Sequence, residues 1–79
     1  MAWDYPVVMQ IIESVQKEQC FIWGGDVYKM TNDKVESTYD SWYARSEMTV
    51  EESLGMAKKF IGNYYQKRGK RYLYTLVIE

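Results

Sequence analysis

The segment Thr49-Val50-Glu51-Glu52 constrains this chain more than any other. A threonine followed three residues later by a glutamate is a capping box. The hydroxyl accepts from the N–H of the glutamate, and the carboxylate accepts in return from the N–H of the threonine. Val50, Leu54, Ala57, Ile61 and Tyr64 then fall on one face at helical spacing, with Phe60 flanking them. Gly69 can adopt the left-handed backbone that commonly ends a helix, and Lys67 and Arg68 sit just before it, where cations meet the helix dipole favourably. A helix running from the Thr49 cap to Gly69 takes a large share of a 79-residue chain. The rest must fold in two short flanks. The whole is then one small domain, near the lower size limit for a fold held by neither disulfide nor metal.

The flanks have their own periodicities. Val8, Ile11, Ile12 and Val15 recur at i, i+3, i+4 and i+7, an amphipathic stripe. Pro6 fits the first turn, where a missing N–H costs nothing, so a first helix is expected over about residues 6–18. Cys20-Phe21-Ile22-Trp23 is a short apolar run ended by Gly24-Gly25 and reads as a strand, with Gly24-Gly25-Asp26 as a tight hairpin turn. Asp26 to Thr31 alternates and reads as a second strand. Asn32-Asp33 is a turn pair, and Lys34 to Asp40 returns as a third strand that can extend to Tyr43. Arg71 to Ile78 is apolar on both faces and is expected to lie in the sheet interior. The expected fold over residues 1–79 is therefore α+β in the order α-β-β-β-α-β. It has about four mainly antiparallel strands, with two helices packed on one face. The other face, or one edge, is left open.

Function classes narrow quickly. There is no histidine, so the commonest general base and the commonest metal ligand are both missing. Cys20 is the only cysteine, which rules out an internal disulfide, and its apolar setting predicts a buried, inert thiol. No spacing matches a metal site, a phosphate loop or a nucleophile elbow. Asp26 and Asp40 could serve as an acid and a base, but nothing around them positions a substrate. A Gly-Gly-Asp string also occurs in cyclic-dinucleotide synthases, yet there Glu-Phe follows, and here the next residues are Val27-Tyr28. No catalytic residue, cofactor or metal is expected, and the chain reads as non-enzymatic. Neither a signal peptide nor a membrane-spanning run is evident, so a cytoplasmic location is expected.

What remains is binding. The net charge is −1, but residues 1–52 hold ten acids and four bases while residues 53–79 hold one acid and six bases. Thirteen aromatics are more than so small a core can hide, and surface aromatics often mark contacts. Tyr39-Asp40-Ser41-Trp42-Tyr43 places three of them beside an acid. Asp26, Tyr28, Tyr39, Asp40, Trp42 and Tyr43 are the candidate partner-binding residues, in a setting that suits a basic protein partner such as a nuclease. At least one of Trp42 and Tyr43 is instead expected to plug the core under the second helix. The alternative site is basic: Lys58-Lys59 and Lys67-Arg68-Gly69-Lys70-Arg71, interleaved with Tyr64, Tyr65 and Tyr72, could grip a nucleic acid. Cations at a helix C-terminus are ordinary, and the net charge is negative, so nucleic acid is the second reading. A homodimer formed through the sheet is the third.

Gly24-Gly25-Asp26-Val27-Tyr28, followed by Tyr39-Asp40-Ser41-Trp42-Tyr43, resembles the immunity protein 40 family of bacterial polymorphic toxin systems. A helix before the first motif and a capped helix after the second are similar to that family's layout. The resemblance implies a cytoplasmic protein that neutralises a cognate toxin by binding it, with the ten matched positions as candidate contacts. Many toxins of such systems are nucleases. The basic segment Lys67 to Arg71 and the Tyr-rich last strand fall outside the resemblance.

Overall fold

Asp4 opens the first element. Its carboxylate accepts from the Val7 N–H at 3.2 Å and Pro6 occupies the first turn, so α1 spans Tyr5–Lys17 in the computed structural model, which describes residues 1–79. Val8, Ile12 and Val15 form its buried stripe. The second helix, α2, spans Val50–Arg68 with the expected reciprocal cap: Glu52 N–H donates to Thr49 Oγ1 at 3.1 Å, and Thr49 N–H donates to Glu52 Oε1 at 2.9 Å. The bond from the Thr49 N–H, with the Thr49 hydroxyl second to it, holds the Glu52 carboxyl below its ordinary range. Between the helices lie β1, Ile22–Thr31, and β2, Lys34–Tyr43, joined by the Asn32-Asp33 turn. After α2 come β3, Tyr72–Tyr74, and β4, Val77–Ile78. All pairings are antiparallel. The central strand is β1, with β2 along one side and β3 and β4 in succession along the other.

The fold is α+β with four strands and two helices, but two strand boundaries differ from the sequence reading. Gly24-Gly25 is not a turn. The chain runs straight through it, fusing the first two expected strands into β1. The reason is close approach. A Cβ on Gly24 would strike the Trp42 carbonyl, and one on Gly25 would strike both the Thr75 carbonyl and the Trp42 ring. Glycine in a strand here marks neighbours that leave no room for a side chain.

The last expected strand breaks in two at Thr75-Leu76, giving the order α-β-β-α-β-β. There Asp26 N–H donates to Thr75 Oγ1 at 2.9 Å, and Thr75 N–H donates to the Asp26 carbonyl at 3.0 Å, so a side chain takes over part of the ladder. This segment also lies at the sheet margin rather than in its interior. Its outer side meets only Trp3, which exchanges two backbone hydrogen bonds with Tyr74, at 2.9 and 2.7 Å. That cover, together with Tyr72 and Tyr74 packing against Tyr64, accounts for its apolar composition.

Both helices contribute to one core with a single face of the sheet. Val8, Ile12 and Val15 of α1 and Leu54, Ala57, Ile61 and Tyr64 of α2 meet Ile22, Val27, Trp42 and Tyr74. Ser53, fully buried, ties α2 to the start of β1: its hydroxyl accepts from Ile22 N–H at 3.1 Å and donates to the Val50 carbonyl at 2.8 Å. Cys20 is half-buried rather than enclosed, because it precedes β1 and its sulfur lies 3.8 Å from the Glu18 carbonyl at the exposed end of α1. No helix is long and apolar enough to cross a membrane.

Candidate protein-binding face

Residues paired across an antiparallel ladder share a face, and neighbours along a strand alternate. The pairs Gly25–Trp42 and Val27–Tyr74 point to the helices. The opposite face therefore carries Gly24 with Tyr43 and Val77, Asp26 with Ser41, Tyr28 with Ser37 and Leu73, and Met30 with Val35. No element covers it. Tyr43 is 73% exposed and Val77 is 56% exposed, which is far more than core side chains of these types show.

At one end of this face Trp23, Gly25, Asp26, Tyr43 and Val77 surround a hollow of about 150 Å3, with the bare backbone of Gly24 among its lining. β1 carries one extra residue opposite β4 at this point, since Ile22 pairs with Ile78 and Gly24 with Val77. The bulge breaks the alternation, so Ile22 stays in the core while Trp23 reaches the hollow. The Trp23 indole tilts against Phe21, with centroids 4.5 Å apart, and its N–H donates to the Glu79 carboxylate at 2.7 Å. Asp26 has its backbone tied to Thr75 and its carboxylate in no ion pair. A hollow this size falls short of the ~300–1,000 Å3 usual for a small-molecule site. Aromatic rings, a valine and a free carboxylate around a shallow depression are instead the make-up of a protein contact.

The outer strand has a second irregularity. Asp26 pairs with Ser41 and Tyr28 with Ser37, so Val27 alone faces Thr38, Tyr39 and Asp40. Thr38 Oγ1 donates to the Val27 carbonyl at 2.8 Å and accepts from Asp40 N–H at 3.1 Å, while Ser37 Oγ accepts from Tyr39 N–H at 3.1 Å. Tyr39 has φ 64° and is 93% exposed. Asp40 turns towards the helices, where its carboxylate accepts from the Tyr64 hydroxyl at 2.8 Å. Burial, above all, pushes the Tyr64 phenol above its ordinary range; the nearby Thr38 hydroxyl pulls the other way, and the Asp40 carboxylate adds to the rise.

Of the six residues singled out from sequence, the structure gathers Asp26, Tyr28 and Tyr43 on the open face and sets Tyr39 on the bulge of the sheet margin. Asp40 belongs to the helix side. Trp42 is corrected from anchor to core: it is 4% exposed, its ring stacks on Phe60 at 4.8 Å, and it closes over Gly25. It is thus the member of the Trp42–Tyr43 pair that plugs the core. Val77 was not singled out from sequence, whereas Trp23 reads there as able to form one aromatic cluster with Tyr28 and the Tyr39–Tyr43 run. Reading β1 continuously through the two glycines would have brought Trp23 beside Asp26.

At the opposite end of β1, Lys70 and Arg71 line a wider open groove with Trp3, Asp4, Met30 and Asn32. It is the larger depression, but it brings together no aromatic cluster of the kind around Gly24. Arg68 lies 5.5 Å over the Tyr64 ring, and the one ion pair in the structure, Arg45–Glu47 at 3.1 Å, involves none of these cations.

No curated protein and no solved structure matches the chain. The family model described as Immunity protein 40 matches residues 1–78, essentially the whole length, and the chain belongs to that family of immunity proteins.

Proposed function

We propose that this immunity protein acts in the cytoplasm by binding its cognate toxin directly and occluding it with the open face of the sheet. One observation carries the reading: Trp23, Asp26, Tyr43 and Val77 converge around the Gly24 backbone on the face that neither helix covers. Tyr28 and the Tyr39 bulge extend the surface along β1 and β2. Trp23 and Tyr43 supply contact area at low entropic cost, and Asp26 gives the face a free negative charge suited to a basic toxin surface such as that of a nuclease.

The test is rescue of growth on coexpression with the toxin encoded beside this gene. Wild type should protect, and Trp23→Ala with Tyr43→Ala should not. Asp26→Lys should slow association. Each variant must first show cooperative melting like the wild type. Protection undiminished in the folded double variant rules out this face.

A second reading draws on the unpaired cations Lys67, Arg68, Lys70 and Arg71. If they grip phosphates, a DNA or RNA complex should form with an affinity that falls steeply as salt rises. With acids outnumbering bases overall, no specific complex is expected at physiological ionic strength.

A further inference from the structure

We infer that Tyr39 is the specificity anchor of this surface, a ring held out on a rigid bulge to stack against an arginine of the toxin. The inference rests on the toxin-binding reading above and adds the residue and the chemistry it selects. A bulky side chain at φ 64° is unusual, because the left-handed region crowds any Cβ, and glycine or asparagine sits there more easily. Such strain persists only where the surroundings impose it, and here they do. The Ser37 hydroxyl holds the Tyr39 N–H, the Thr38 hydroxyl bridges Asp40 N–H to the Val27 carbonyl, and Tyr64 holds the Asp40 side chain. Every fixed group is the Tyr39 backbone or a neighbour of it. The ring itself is 93% exposed and has no hydrogen-bond or ring partner. The fold therefore carries a strained tyrosine whose side chain contributes nothing to the core.

The surroundings select the partner. Residues 35–43 of β2 and residues 22–28 of β1 contain Asp26, Glu36 and Asp40 and no lysine or arginine, with Lys29 paired across from Glu36 just beyond. None of these three acids makes an ion pair. Asp40 is turned to Tyr64, but Asp26 and Glu36 keep carboxylates with no partner, and a tyrosine face near them attracts a guanidinium both through the ring quadrupole and through charge. The bulge also interrupts the outer edge of β2, so a partner cannot simply add a regular strand across it. Recognition at this point is by side chain.

The test measures affinity for the purified toxin, alongside melting temperature, for wild type, Tyr39→Phe, Tyr39→Asn and Tyr39→Lys. Phenylalanine keeps the face of the ring and should bind within ~3-fold of wild type. Asparagine removes the ring but suits the backbone, so affinity should fall by roughly 10–30-fold while the melting temperature holds or rises by up to ~4 °C. Lysine should weaken binding at least as much, by more at low salt than at high salt. If Tyr39→Asn binds within ~3-fold of wild type while wild type binds normally, Tyr39 is no anchor. If Tyr39→Lys binds as well as wild type, the partner surface is not cationic. If wild type itself does not bind, the toxin-binding reading has failed, and the anchor fails with it.

Discussion

Replacing Asp40 by alanine removes the acceptor of the Tyr64 hydroxyl, and the structure sets the size of the penalty. The bond is 2.8 Å long and runs from a phenol to a carboxylate. Hydrogen bonds to charged groups contribute ~1.5–3 kcal/mol. Asp40 is only half-buried, so water screens part of that value, and the lower end, ~1.5 kcal/mol, is the expected loss. The phenol is left worse off than the acid would be, since Tyr64 is 9% exposed and packed between Phe60 and Tyr74. For a chain this short, ~1.5 kcal/mol lowers the melting temperature by ~6–12 °C. Tyr64→Phe removes the donor and leaves a carboxylate that water can reach, so it should cost less, ~1 kcal/mol. Urea titrations of wild type, both single variants and the double variant close a cycle whose coupling term should be ~1 kcal/mol. Additivity within ~0.3 kcal/mol would falsify the claim that this bond supports the fold. Charge reversal at Asp40 should also cost stability, because Asp40→Lys strips the phenol of its acceptor.

Three further perturbations address separate features. Gly25→Ala drives a methyl group into the Thr75 carbonyl and the Trp42 ring and should destabilise by ~3 kcal/mol or more; Gly55→Ala, with open space around its Cβ on α2, should stabilise by ~0.5–1 kcal/mol. Similar melting temperatures for the two would contradict the packing of Trp42 over Gly25. Tyr74→Phe removes a buried hydroxyl that has no hydrogen-bond partner, and at neutral pH its urea midpoint should equal or exceed that of wild type. Burial pushes the Tyr74 phenol up to about 12 from an ordinary 10.0, so the neutral form is the one the fold favours. Its contribution is complete below pH 10 and is lost as pH rises towards 12. The wild-type midpoint should fall through that window, and fall less in Tyr74→Phe; equal slopes would exclude Tyr74 as the cause.

Both helices were legible because their signals are local. A cap, an apolar stripe and a terminal glycine lie within one stretch of chain, and in α2 each made the contact its spacing implied. The strands depended on partners distant in sequence. Gly24-Gly25 carries the composition of a turn, and only Trp42, seventeen positions on, explains why it is a strand with no room for side chains. Thr75 likewise looks like one more strand residue until Asp26 is found beside it. The same limit governed the candidate site. Asp26, Tyr28, Tyr39 and Tyr43 were recognisable as aromatics and acids near one another, but which alternating set met the helices depended on partners distant in sequence. Asp40 and Trp42 share the helix side by simple alternation with Ser41 and Tyr43, whereas Trp23 joined the open face because of the bulge against β4.

Two bulges lie on either side of Asp26, one against β4 between Ile22 and Gly24, the other against β2 between Asp26 and Tyr28. Each leaves backbone groups that a regular ladder would have paired, and side chains take them up: Ser53 at Ile22, Thr75 at Asp26, Thr38 at Val27. None of the three displays itself on the open face as an aromatic contact, yet together they fix where Trp23, Asp26 and Tyr39 stand. A regular β1 would place Trp23 on the other side of the strand, and a regular β2 would leave Tyr39 in an ordinary extended backbone. Ser53, Thr38 and Thr75 are therefore positioning residues for the proposed binding face as well as supports of the fold. Their loss should weaken toxin binding by more than the loss of stability accounts for. Thr38→Val tests this most cleanly, since it keeps the shape of the side chain while deleting both of its hydrogen bonds. If a folded Thr38→Val binds the toxin as tightly as wild type, the bulge holds its shape without Thr38, and Tyr39 is positioned by Ser37 and Asp40 alone.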